Sequence, residues 1–168
     1  MKKGILLVLV ITVLAALHYH WRETSPLYNF LFSPSDLYSN LVKTNFDLTK
    51  KGLTKKIIIT NKYPGNHWIA LLVNKPTKTG DKYDSDFKVK ITIKNKTNVI
   101  LEKIVSDSSF WFYGGKNNSG FALLSYKAPN ILPLGIPLNI EIKVLTPSKN
   151  FETKYGKQFL VVEKFSDE

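Results

Sequence analysis

Cysteine is absent from all 168 residues. That removes disulfide staples, thiol nucleophiles, cysteine-ligated zinc and the acylated cysteine of a lipoprotein. Arginine is nearly absent: of 24 Lys and Arg residues only Arg22 is arginine. Proteins that read phosphates draw on arginine for its bidentate geometry, so the formal net charge of +11 does not by itself point to nucleic acid. The lysines accompany abundant Asn and Ile and are scattered along the chain, with Lys50-Lys51 and Lys55-Lys56 the densest cluster. No nucleic-acid partner is expected. A loose attraction to anionic lipid or cell-wall polymer is compatible with such a charge.

Histidine is scarce too. Beyond residue 20 only His67 remains, and a His-based acid–base pair would need a carboxylate that no Ser or Asp motif marks. Beside Trp68, His67 reads as a strand-end residue. Asp81, Asp84 and Asp86 cluster near Gly80, as hard-cation binding requires, but their spacing is not that of an EF-hand loop and Lys82 and Lys88 dilute the charge. A solvated connection is the expectation, with no metal, no cofactor and no catalytic residue.

What the chain does possess begins at once. Lys2 and Lys3 precede Gly4 to Leu17, a run in which only Thr12 is polar. Positive charge held on the cytoplasmic side of an apolar run directs export. The run is short of the roughly 20 residues that span a bilayer unless His18, Tyr19, His20 and Trp21 complete it as an interfacial belt. Cleavage sites are poor: Val13-Leu14-Ala15 is tolerable, while Ala15-Ala16-Leu17 lacks the final small residue. The reading is a signal-anchor over residues 4–21, with a cleaved signal as the alternative and a buried core helix as the structural one. The protein is then a single-pass bacterial inner-membrane protein whose C-terminal part lies in the periplasm or extracellular space, secreted if the signal is cut.

Three parts follow: residues 1–21 as signal-anchor or signal peptide, 22–43 as a short helical linker and 44–168 as one domain. In the linker, Ser33-Pro34-Ser35-Asp36 has a capping serine, proline at the first helical position and an acid in the first turn, followed by Leu37, Tyr38, Leu41 and Val42 at helical spacing. Those apolar residues, with Leu27, Phe30, Leu31 and Phe32, are expected to pack on the domain. Few basic residues flank them, as an interfacial helix would require.

From Thr44 the apolar period becomes two. Strands are predicted at 56–60, 67–73, 87–93, 99–105, 110–113, 120–126, 138–144 and 158–165, eight or nine in all, from short β-branched runs with alternating polarity. Asn95-Lys96-Thr97-Asn98 joins two of them tightly. Regular spacing without an intervening long helix predicts an all-β fold: an antiparallel two-sheet sandwich, immunoglobulin-like or jelly-roll, preceded by the membrane helix and the short amphipathic helix. Phe46-Asp47-Leu48-Thr49-Lys50-Lys51-Gly52, the Ile-rich strand after it and the strand Trp68 to Val73 resemble the opening of small β-sandwich domains of bacterial envelope proteins. That resemblance covers about residues 44–165 and implies fold and compartment; it brings no activity or catalytic positions.

Phe110-Trp111-Phe112-Tyr113-Gly114-Gly115 is the most unusual local run. In a strand two of its four aromatics face one side and two the other, so Trp111 and Tyr113, with Asn117 and Asn118 in the loop beside them, are the candidate ligand- or partner-binding residues. Coverage of both faces, the second by the N-terminal helix, is the structural reading of the same run. Asn95-Lys96-Thr97 and Asn117-Asn118-Ser119 match glycosylation sequons, a pattern common by chance in an Asn-rich chain. The expected function is that of a non-catalytic envelope protein, accessory or immunity-type, that binds another protein. A carbohydrate- or cell-wall-binding module is the alternative. An enzyme ranks third, because paired carboxylates and nucleophile motifs are missing.

Overall fold

The computed structural model describes residues 2–24, 34–75, 86–106, 111–114 and 118–165. Nine strands follow helix α1 (Lys2–Thr24): β1 (Val42–Asn45), β2 (Thr54–Thr60), β3 (Gly65–Val73), β4 (Lys88–Asn95), β5 (Asn98–Val105), β6 (Trp111–Gly114), β7 (Asn118–Ala128), β8 (Pro137–Thr146) and β9 (Gln158–Lys164). A one-turn helix α2 (Phe151–Tyr155) sits between the last two. The strands form two antiparallel sheets, one ordered β1-β9-β3-β7-β6 and the other β2-β8-β4-β5. With β6 set aside, four strands face four, and the chain changes sheet at every step except from β4 to β5, which form a hairpin within one sheet. The sandwich expectation holds.

Alternation in the sequence sets the two faces. In β3, Ile69, Leu71 and Val73 belong to the main core, whereas Ala70 and Leu72 form a separate small cluster with Val161 on the opposite side of the sheet. In the facing sheet Val89, Ile91 and Ile93 of β4 stand opposite Val144, Ile142 and Ile140 of β8, all fully buried or nearly so. Burying an aliphatic side chain contributes about 1.5–3 kcal/mol, and many such groups do what cysteine cannot do here. One end of the sandwich is closed by aromatic rings. Phe151 and Tyr155, four apart on α2 and therefore on one face, meet Phe121 edge-on with centroids 5.8 and 5.3 Å away.

Three expectations change. The amphipathic helix expected before Val42 is instead a turn: Leu37 N–H donates to the Pro34 carbonyl and Ser39 N–H to the Asp36 carbonyl. Leu41 N–H then donates to the Val162 carbonyl, and Val42–Asn45 pair with β9. Val42 is β-branched and finds a ladder partner in Val162, so tertiary pairing overrides the helical spacing. Ser33, Leu27, Phe30, Leu31 and Phe32 lie outside the described residues. Secondly, α2 arises where only a connection was expected.

The third concerns the membrane segment. Among the described residues no helix is long and apolar enough to cross a membrane. Residues 4–17 at about 1.5 Å per residue reach roughly 21 Å, short of a hydrocarbon core of about 30 Å; His18, Tyr19 and His20 continue the helix but do not extend its apolar part. A membrane helix over residues 4–21 is therefore unsupported. α1 has no polar side among the residues whose side chains are described: Leu7, Val8, Ile11, Leu14 and Leu17 are all exposed.

Candidate interaction surface

Four strands end the two sheets: β1 and β6 on one, β2 and β5 on the other. β1 and β6 are four residues long, too short to offer much of a template to an incoming chain. β1 is further marked by Lys43, whose ammonium lies 5.1 Å from the Phe159 ring centre. β5 is different. It runs eight residues and, among the described residues, is bonded on one side only, to β4.

The β4–β5 hairpin explains how that edge is held. Asn95 pairs with Asn98 across the two-residue turn Lys96-Thr97, as the sequence predicts, and Lys96 adopts φ +51° to close it. Leu101 opposes Ile93 and Val99 opposes Lys94, so Ile100 is left over as a bulge without a cross-strand partner. Leu101 and Val105 turn to the core. Val99 stays 55% exposed, Ile100 38% and Ile104 59%, an unusual load of aliphatic surface for an open edge. Glu102 and Lys103 are the polar residues between them.

Trp111, Tyr113 and Asn118 are described in their backbone pairing only, and Asn117 lies outside the described residues. β6 sets Trp111 opposite Phe121, Phe112 opposite Gly120, Tyr113 opposite Ser119 and Gly114 opposite Asn118. Phe121 is a core residue and Ser119 is buried. Positions 111 and 113 thus share a register with the side of β7 that faces the other sheet.

His67 lies within β3, 1% exposed. Its Nδ1–H donates to the Gly65 carbonyl at 3.1 Å, and its ring stacks on Tyr126 with centroids 5.3 Å apart. Tyr126 in turn donates to Asn61 Oδ1 at 2.9 Å, and Asn61 Nδ2 donates to the Pro133 carbonyl. Burial pushes the Tyr126 hydroxyl well above its ordinary pKa, the Asn61 hydrogen bond pulling the other way. This group ties β3 and β7 to the loops around residues 61 and 133; nothing in the sequence linked Tyr126 to Asn61, 65 positions away, or Asn61 to Pro133, 72 away. Of the three clustered acids, Asp81 and Asp84 lie outside the described residues and Asp86 precedes β4. Among the described residues no group of three His, Asp or Glu stands where it could hold a metal ion.

No family model matches the chain, and no curated protein does. A crystal structure of a protein from Sulfurospirillum deleyianum shares 9% identity and a TM-score of 0.47, over 74% of this chain and 97% of the other. At that distance the neighbour carries no argument about function.

Proposed function

We propose that the protein is an exported, non-catalytic envelope protein that binds another protein, and that β5 is the edge it uses. The observation behind this reading is the exposed Val99, Ile100 and Ile104 on an eight-residue edge strand whose outer side has no partner strand among the described residues. A partner strand added there would satisfy the free backbone groups of β5 and cover aliphatic surface that otherwise invites nonspecific pairing. Export is supported by Lys2 and Lys3 ahead of the apolar residues 4–17, a length that suits the 7–15 residue core of a signal peptide. On export α1 is either removed, which releases the domain, or kept. The intact mass of the exported protein distinguishes the two.

The test of the binding reading places a photo-reactive amino acid at residue 100 and, as a control, at residue 50, in cells expressing the full chain. One defined envelope protein cross-linked from residue 100 and not from residue 50, and lost when Ile104 is replaced by Pro in a variant that still folds, supports it. Absence of any such adduct, together with retention on immobilised glycans that Trp111→Ala abolishes, would move the function to carbohydrate binding.

A further inference from the structure

The outer face of the β2-β8-β4-β5 sheet is a grid fixed by register. One row runs Thr54, Lys143, Lys90, Ile104; the next runs Lys56, Glu141, Thr92, Glu102; a third runs Ile58, Asn139, Lys94, Val99. Lys143 and Lys90 stand directly opposite one another on the two central strands. Like charges so placed repel and destabilise the pair. Lys90 is drawn to Glu102 at 2.8 Å and Lys56 lies 3.9 Å from Glu141. Neither Lys94 nor Lys143 makes a salt bridge among the described residues. Four lysines therefore face two glutamates in these three rows, over a shallow groove of about 420 Å³. At the flanks Ile58 and Ile104 are 65% and 59% exposed.

We propose that this face lies against an anionic bilayer surface, with Lys90, Lys94 and Lys143 over lipid phosphates and Ile58 and Ile104 entering the interface. The site is a face rather than the β5 edge; it shares Ile104 and Val99 with that edge, but its lysines lie on β2, β8 and β4 and do not rest on the protein-binding reading. Three features select lipid over other anions. A sheet offers a broad, nearly flat contact, and lysine serves phosphate as a point charge without the fork geometry that carboxylates favour in arginine. Aliphatic side chains at the flanks gain from an acyl boundary and gain nothing from a hydrophilic polymer. The surplus cations each gain attraction near an anionic leaflet, an effect that falls away within a Debye length. Among the described residues, the outer side of the other sheet carries instead the apolar group of Ala70, Leu72 and Val161.

The absence of native cysteine makes a single reporter straightforward. Asn139→Cys, in the third row of the grid, is labelled with an environment-sensitive fluorophore in the protein as it accumulates in the envelope. It is then titrated with vesicles of phosphatidylcholine alone or mixed with phosphatidylglycerol. The expected result is a blue shift at roughly tenfold lower lipid with phosphatidylglycerol present, reversed by about 0.5 M salt. Lys94→Glu with Lys143→Glu should remove that preference, while Lys50→Glu with Lys157→Glu, an equal change of charge elsewhere, should leave it intact. If the first pair fails to fold, Lys94→Gln with Lys143→Gln takes its place. Equal responses to the two vesicle types, or equal losses from both pairs of variants, would overturn the proposal. A response to polyglutamate but not to vesicles would overturn it too and assign the face to an acidic protein.

Discussion

The Tyr126 hydroxyl donates to Asn61 Oδ1 at 2.9 Å inside the domain, with the His67 ring stacked on the phenol at 5.3 Å. The two sides of this bond are unequal. Tyr126→Phe removes a donor and leaves one amide oxygen unpaired, at a cost of about 1 kcal/mol. Asn61→Ala strands the buried hydroxyl and the Pro133 carbonyl together and opens a void, so about 2–3 kcal/mol is expected. Urea unfolding of the two variants checks the order; an Asn61→Ala cost no larger than that of Tyr126→Phe would show that the network is not shared.

Acid should loosen the turn before β1. Asp36 accepts from Lys62 Nζ at 2.9 Å and from the Tyr63 hydroxyl at 2.6 Å; these bonds, Lys62 first, lower its pKa to about 2. A carboxylate held below its ordinary value of about 3.9 stabilises the fold fully above that value, and the contribution is lost as pH falls toward 2. The group is partly exposed, so no more than about 1 kcal/mol is involved. Asp36→Asn should therefore lower stability at pH 6 and leave it nearly unchanged at pH 2, as read by the difference in urea midpoints between the two proteins.

Gly156 is required by its backbone and by its neighbour. It ends α2 at φ +76°, its N–H donating to the Glu152 carbonyl at 2.7 Å, and a Cβ there would collide with Asn74 Oδ1. Gly156→Ala meets both strain and overlap, so a loss of about 1–3 kcal/mol is expected. Gly52→Ala meets the strain alone, because φ is +77° with no atom near an added Cβ. Thermal unfolding should rank Gly156→Ala as the more damaging.

Most strands were legible because alternation reports a half-buried sheet directly: Phe87 to Ile93 and Leu138 to Val144 show it in letters alone. Val42 to Asn45 were not, since a four-residue strand has little period to detect and its pairing with β9 is made across more than a hundred positions. The helical spacing of Leu37, Tyr38 and Leu41 was real yet yielded only a turn, because the chain is drawn into the sheet at once. The exposure of Ile58, Val99, Ile100 and Ile104 was hidden for a related reason. An Ile-rich run reads as buried until the sheet order shows which strand has no neighbour.

That order makes the β5 edge testable through stability as well as through binding. Ile100 is a bulge residue without a cross-strand partner and Ile104 points away from the core. Replacing either by Lys removes little buried area, so unfolding free energy should change by no more than about 0.5 kcal/mol. Leu101→Ala, one residue along and turned inward against the core, should cost about 1–3 kcal/mol, toward the low end of core truncations because it is only partly buried. If the aliphatic edge promotes pairing between copies, Ile100→Lys with Ile104→Lys should also raise the concentration at which the purified protein self-associates in light scattering. Destabilisation as large as that of Leu101→Ala would mean these side chains are covered within the fold, and the edge could not then serve a partner.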